Sequence, residues 1–275
     1  MKSKQNQFCL TKLLEYAVSI DLIWLVIWGT IFVSFVALDS IFQTAYPGKD
    51  VFYDFGNFRV QVVGNGTFIG VTILKYIGIV LSFIYAKKKF PKDYILQIAL
   101  AFTLLADTIL TFDQISKLGV LAFCIAQYFH IARFAKIKPK YFVMWTLFLF
   151  LLLISGRILK IESMFVLAFI YALSLSMNII LTRQWWKRVK NKKQATDREV
   201  VASTCAMAGF ILFALCDTNV ALSYLSVTGA IPLFIARYAN FFAWLFYYPS
   251  QVLISNSSVI IEAKTRKVKN VSPSK

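Results

Sequence analysis

The chain has 275 residues, of which 59% are hydrophobic, well above the about 45–50% of an ordinary soluble domain. Only 16% are charged, yet the net charge is +17, and the basic residues lie in short runs between apolar stretches. That placement argues against nucleic acid as a partner and for contact with anionic lipid headgroups. Four scattered cysteines (Cys9, Cys124, Cys205, Cys216) without a CxxC pair suggest neither a disulfide framework nor a zinc site. A single histidine, His130, removes His-based triads and His-rich metal sites.

In chain order, residues 1–21 read as a cytoplasmic N-terminal segment. The apolar run from Leu22 is long enough to span and carries no small-residue cleavage site, so it is not a signal peptide. Eight apolar stretches follow, near 22–42, 68–85, 94–112, 118–135, 141–156, 162–182, 203–222 and 234–256, each long enough or nearly so to cross about 30 Å of hydrocarbon. The expected fold is therefore all-α: a polytopic bundle of eight transmembrane helices over 22–256, with a basic cytoplasmic tail at 257–275. The loop at 43–67 is rich in Gly and Pro, and its Arg59–Val63 run suits a short strand or hairpin.

Lys and Arg number 23 in the N-terminal segment, in 86–93, 133–140 and 183–199, and after 257, against 5 in the intervening loops. This alternation predicts both termini in the cytoplasm. The Trp185-Trp186 pair beside Arg183 and Lys187 reads as an interfacial anchor.

Ionisable residues inside spans cost about 2.5–3.5 kcal/mol each on insertion scales. Asp39 (span 1), Lys75 (span 2), Asp107 (span 3), Asp217 (span 7) and Arg237 (span 8) fall at similar depth and suggest a polar layer in the outer half of the bundle. Asp107 and Asp217 each lie about five residues from the outer end of their span. Stripes at helical spacing support this: Gln97, Asp107, Thr111 and Gln114 in span 3; Gln127 and His130 in span 4; Tyr171, Ser174, Asn178 and Thr182 in span 6. Span 8 adds Arg237, Asn240, Trp244, Tyr247 or Tyr248, and Gln251. Span 5 has almost no polar stripe and is expected to face lipid. Shifting by 110 residues aligns 102–134 on 212–244 with Asp107 on Asp217 and Thr108 on Thr218, the pattern of a parallel internal repeat. Asp107 and Asp217 are then expected to face one polar cavity between spans 3, 4, 7 and 8.

No GxSxG, HExxH, phosphate loop or nucleotide fingerprint occurs, so any chemistry must come from carboxylates and amides. The stretch Leu104–Leu110 with Gly119, Phe123, Gln127 and Phe134 resembles spans 3 and 4 of the lysoplasmalogenase family of YhhN-like membrane proteins. Gly209–Asp217 resembles the family's second block. Tyr247 or Tyr248 with Gln251-Val252-Leu253-Ile254 and Ser257 resembles its closing block, and Lys75 stands where a lysine is often found. Departures are Ala106 for a glycine, Cys216 for a serine, Gln127 for a histidine, and His130 where tyrosine is common.

The resemblance implies cleavage of the vinyl ether of a lysoplasmalogen to a fatty aldehyde and a glycerophospho-alcohol. Asp107 and Asp217 are the implied catalytic pair. Lys75, Gln127, Arg237, Tyr247, Tyr248 and Gln251 support or bind substrate, with no metal and no cofactor. The implied partners are a lysophospholipid and membrane lipids, and the expected location is a bacterial plasma membrane. Two other functions compete: a transporter or carrier, favoured by the repeat and the intramembrane charges, and a non-catalytic lipid-binding family member, favoured by Gln127. A transporter should carry Gly or Pro breaks in paired spans, and Pro249 in span 8 has no counterpart in span 4.

Overall fold

A computed structural model describes residues 22–45, 50–55, 58–63, 67–112, 116–134, 139–227, 229–232 and 234–259. The N-terminal segment and most of the basic tail therefore lie outside the described residues. Eight helices fall on the eight apolar stretches: α1 (Leu22–Ala45), α2 (Thr67–Lys89), α3 (Tyr94–Phe112), α4 (Lys117–Phe134), α5 (Pro139–Ile158), α6 (Ser163–Lys190), α7 (Asp197–Val227) and α8 (Phe234–Ser255). Between α1 and α2, β1 (Asp50–Phe55) pairs antiparallel with β2 (Phe58–Val63), from Asp50 opposite Val63 to Phe55 opposite Phe58. The helical bundle is thus all-α, with one hairpin standing in the loop where β-branched residues cluster.

Two helix ends differ from the hydropathy boundaries for a physical reason. α7 begins at Asp197 instead of 203 because Thr196 and Glu199 form a reciprocal cap. The Glu199 carboxylate accepts from the Thr196 amide at 2.9 Å, and the Thr196 hydroxyl accepts from the Glu199 amide at 3.2 Å. α6 continues past 182 to Lys190 as a polar extension, with the Lys190 ammonium 4.8 Å from the Trp186 ring. Neither extension is apolar, so hydropathy alone stops short of both.

Among the described residues, four segments are long and apolar enough to cross a membrane by length and composition: Ile23–Ile41, Tyr94–Thr111, Ser163–Lys190 and Asp197–Ser226, with the shorter apolar Val143–Ile158 in α5. This architecture is consistent with an integral multi-pass membrane protein. The outer helices carry the apolar surface: α5 exposes Met144, Leu147, Phe150 and Leu151 and packs on α6, while α1 exposes Ile23, Val26 and Val33. Continuous exposed apolar area of this kind suits lipid and not water.

The basic ends of the helices gather at one end of the bundle. There Asp93, at the start of α3, accepts from the Ser258 hydroxyl at 2.8 Å just past α8. Arg133, near the end of α4, donates to the Ser257 carbonyl and hydroxyl at 3.1 and 2.5 Å. Phe134 packs on Trp185 of α6, and Arg198 of α7 lies over the Phe90 ring. The chain through Val259 is therefore part of the bundle, past the boundary expected at 256.

Close packing is set by small residues and aromatics. At Gly209 of α7 an added Cβ would sit 3.2 Å from the Ser250 carbonyl and 2.8 Å from the Ile254 side chain, so α7 and α8 approach backbone to backbone. Gly78 of α2 makes equivalent room for the Tyr248 ring. Around Tyr248 the rings of Phe35, Trp28 and Tyr85 fill the junction of α1, α2 and α8. Their edge-on contacts lock ring orientations as well as burying area.

Candidate functional site

The interior of the bundle holds two aspartates on two helices, each hydrogen-bonded by a tyrosine from a third and a fourth. Tyr247 of α8 donates to Asp107 Oδ2 of α3 at 2.6 Å, and Tyr171 of α6 donates to Asp217 Oδ2 of α7 at 2.5 Å. Asp217 lies within electrostatic reach of Asp107, and Cys216 lies within reach of both. Both aspartates are half-buried, whereas Tyr247 is 5% exposed. A carboxyl oxygen held by a phenol is oriented, and such bonds are short and strong when either partner carries charge.

The backbone explains how the tyrosines arrive there. Pro249 has no amide hydrogen, so the Leu245 carbonyl of α8 loses its helical donor. The Ser250 hydroxyl turns back to the Tyr247 carbonyl at 2.6 Å. Directly before this break, consecutive tyrosines diverge. Tyr247 reaches Asp107, while Tyr248 donates to the Trp28 carbonyl at 3.2 Å and lies against Gly78. The choice the sequence leaves open is resolved in geometry: Tyr247 belongs to the aspartate site and Tyr248 to the α1–α2 junction.

An aromatic wall joins the two pairs. Phe213 of α7 lies 5.4 Å from Tyr247 and 5.9 Å from Phe123 of α4, and Phe123 lies 5.8 Å from Tyr171. Beyond Tyr247 stands Trp244, at 5.6 Å, with the Lys75 ammonium 5.0 Å from the Trp244 ring. The site thus presents two polar points on a largely apolar wall, the composition expected where an amphipathic small molecule binds.

The other residues singled out by sequence are placed as follows. Lys75, 4% exposed, pairs with Asp39 of α1 at 2.5 Å and reaches Asp107 through Trp244 and Tyr247 instead of directly. Gln127 is fully buried and bonds to Asn178 of α6, whose amide donates to the Gln127 carbonyl and Oε1 at 3.0 and 2.8 Å. Asn178 is seven residues beyond Tyr171, about 10 Å along the helix, so Gln127 lies below the aspartates. Gln251 is buried and meets Ser250 Oγ at 3.5 Å. The side chains of Arg237 and Gln114 lie outside the described residues. α7 runs on to Val227, so Asp217 is deeper in its helix than the expected five residues.

Tyr171 is the residue that sequence reasoning missed as a site member. Its signal is the stripe Tyr171, Ser174, Asn178 and Thr182, whose spacing marks an inward face without saying which member meets an aspartate. Asp39 and Asp93 were likewise given no partners. Among the described residues no three of His, Cys, Asp and Glu come together as a metal ligand set.

Of the described residues' buried side-chain polar atoms, eight lack a hydrogen-bond partner. Six belong to Gln127, His130 and Arg133 of α4 and Ser174 and Asn178 of α6, of which Gln127 and Asn178 meet each other, and the other two are the indole nitrogens of Trp28 and Trp145. Leaving such a group dry and unpaired costs about 1–3 kcal/mol.

No curated protein and no solved structure matches the chain. The model of the YhhN family matches residues 69–258, a stretch that runs from α2 to just past α8 and contains both aspartate–tyrosine pairs. The chain belongs to the YhhN family.

Proposed function

We propose that this protein is a lysoplasmalogenase-like membrane hydrolase that cleaves the vinyl ether of a lysoplasmalogen, with Asp107 and Asp217 as its acid–base pair. The observation that carries the proposal is the pairing of each aspartate with its own tyrosine across an aromatic wall. Vinyl ether cleavage needs one group to deliver a proton to the alkenyl carbon. It needs a second to direct water at the adjacent carbon, which bears the ether oxygen. Two carboxyls in different surroundings can divide these tasks.

The tyrosines hold each carboxyl in one rotamer, and the rings of Phe123, Phe213 and Trp244 supply the apolar surface against which an alkenyl chain packs. A separate apolar cleft of about 180 Å³ between α4, α5 and α6, lined by Cys124, Leu153, Leu167 and Ile170, lies beside Tyr171 and suits the far end of such a chain. The substrate enters from the bilayer, where the peripheral α1 and α5 leave the inner helices thinly covered. In this reading all eight helices span the membrane, with the basic end of the bundle in the cytoplasm.

The test is aldehyde release from a lysoplasmalogen in detergent by the purified protein and by Asp107→Asn and Asp217→Asn at matched folded amounts. A positioned general acid contributes typically 10²–10⁴-fold, so each variant is expected to lose at least about a hundredfold. Absence of aldehyde from folded wild type across headgroups would refute the hydrolase and leave a lipid-binding member of the family.

A further inference from the structure

We propose that the buried seam between α4 and α6 is a water path that supplies the hydrolytic water to the Asp217–Tyr171 pair from the basic end of the bundle. The inference rests on the hydrolase reading above and concerns its second substrate. Cleavage of a vinyl ether takes one water per turnover. A proton adds to the outer alkenyl carbon and the water oxygen bonds to the carbon bearing the ether oxygen. The hemiacetal then collapses, its C–O bond breaking as the hydroxyl proton passes to the released alcohol oxygen. No net proton is consumed, but water must reach a site whose lipid-facing side is taken up by an apolar chain.

The seam has the composition of such a route. It starts at Tyr171, whose hydroxyl holds Asp217. One turn further along α6 stands Ser174, 1% exposed, with its hydroxyl lacking a partner among the described residues. Next come Asn178 and Gln127, which meet each other yet leave Asn178 Oδ1 and Gln127 Nε2 unpaired. His130 follows on α4 with Nδ1 unpaired, and then Arg133 with Nε and Nη1 unpaired. Arg133 is tied to Ser257 at the basic end. Unpaired donors and acceptors are thus strung along α6 and α4 from Ser174 to Arg133, with the His130 ring set against Phe134 and Phe210, and water is the molecule small enough to satisfy both kinds.

A purely structural seam would not show this pattern. Groups retained for helix association pair with one another, as Asp39 and Lys75 do. The junction of α1, α2 and α8 is filled by Phe35 and Tyr85 with equal burial and apolar packing. The polar stripe of α6 instead continues below the aspartates, toward the end where the chain meets bulk solvent. Gln127, which departs from the family's histidine, is a member of this path and does not touch either carboxyl.

X-ray hydroxyl-radical footprinting of the whole protein in detergent tests hydration directly, because radicals form from water at the side chain they label. His130, 1% exposed, is expected to oxidise several-fold faster than Tyr85 and Phe35, which at 2% and 1% are equally buried aromatic controls. Equal rates for His130 and the controls would show a dry seam and overturn the proposal. The supply role is tested with Ser174→Val, which fills the path, and Ser174→Ala, which leaves it open. Ser174 donates no bond within the described residues, so neither change removes one. Ser174→Val is expected to lower kcat several-fold with KM for the lipid unchanged, and Ser174→Ala to leave both near wild type. A folded Ser174→Val with unaltered kcat would overturn the path as a supply route. Rapid labelling of His130 in a protein that releases no aldehyde would uphold the hydrated seam and remove the hydrolase reading alone.

Discussion

The first four helices and the last four pack by the same scheme but are wired differently. In the first half α1 packs on α2, α2 on α3, and α3 on α4. In the second half α5 packs on α6, α6 on α7, and α7 on α8, while α2 meets α8 as α6 meets α4. Thr108 and Thr218, each directly after an aspartate, donate back to the carbonyl four residues earlier, Leu104 and Ala214. The polar contacts then part company. On α6 the tyrosine takes the aspartate of the neighbouring helix, Asp217. On α2 the tyrosine that reaches α3, Tyr76, meets Thr108, the neighbour of Asp107, and that carboxylate is held by Tyr247 of α8 instead. Beneath Asp217 lies the unpaired polar seam, whereas Asp107 has a chain of contacts through Tyr247 and Trp244 to the Lys75–Asp39 pair. A scaffold repeated in its packing thereby gives its two carboxyls different surroundings, which is the condition for dividing acid and base work.

The largest expected effect comes from removing both carboxyls together. If the halves act as one unit, Asp107→Asn/Asp217→Asn should be no slower than the worse single variant, because residues that act jointly are far from additive. A loss of about 10²–10⁴-fold corresponds to about 2.7–5.4 kcal/mol in the barrier. Aldehyde release at saturating lysoplasmalogen gives the number. Losses that multiply would mean the two halves work independently and would break the comparison.

The ion pair of the first half comes next. Lys75 and Asp39 have side-chain exposures of 6% and 14%, so Lys75→Met leaves a mostly buried carboxylate without its cation. Removal of one partner of a buried pair costs about 3–5 kcal/mol, and thermal unfolding in detergent should show a loss on that scale. Asp39→Leu/Lys75→Met should recover most of it. The second half has no equivalent pair among the described residues, so a matching cost there is not expected.

Smaller effects separate the two tyrosines. Tyr171→Phe and Tyr247→Phe each withdraw one hydroxyl from a carboxyl, which costs about 1–3 kcal/mol when the carboxyl stays desolvated. Activity should fall by roughly tenfold for each 1.4 kcal/mol. If water from the proposed path replaces the Tyr171 hydroxyl at Asp217, Tyr247→Phe should be the more damaging of the two. The reverse order in kcat would mean that the seam does not reach Asp217.

Much of the fold was legible because lipid imposes a coarse requirement. α3 begins and ends where its apolar run does, and among the described residues the basic helix ends, with Arg133 and Arg198, collect at one end of the bundle. Both aspartates were legible for the same reason, since a charge inside an apolar run needs an explanation. What hydropathy could not show was which tyrosine serves which carboxyl. Tyr247 and Tyr248 are adjacent and chemically identical, and the break at Pro249 and the room at Gly78 separate them. Tyr171 was hidden because a stripe of Tyr, Ser, Asn and Thr looks the same whether it binds helices together or lines a wet path. Lys75 was visible, but its partner on α1 is a tertiary fact: the two are 36 positions apart, with a hairpin between them.

The smallest expected effect decides whether the halves differ in function as well as in wiring. Tyr76 of α2, like Tyr171 of α6, reaches the aspartate-bearing helix that follows its own, and its hydroxyl lies 2.7 Å from Thr108 Oγ1. That threonine already donates to the Leu104 carbonyl at 2.7 Å, so Tyr76→Phe removes one neutral bond and leaves no charged group unpaired. The expected cost is about 0.5–1.5 kcal/mol of stability, measured by thermal unfolding, with aldehyde release unchanged at matched folded amounts. Asp107 should be insensitive because its own donor comes from α8. A loss of activity comparable to that of Tyr171→Phe would show that the tyrosine of the first half also reaches a reacting group. The two halves would then be equivalent in chemistry, and the division of labour between Asp107 and Asp217 would have to arise from the substrate instead of from the protein.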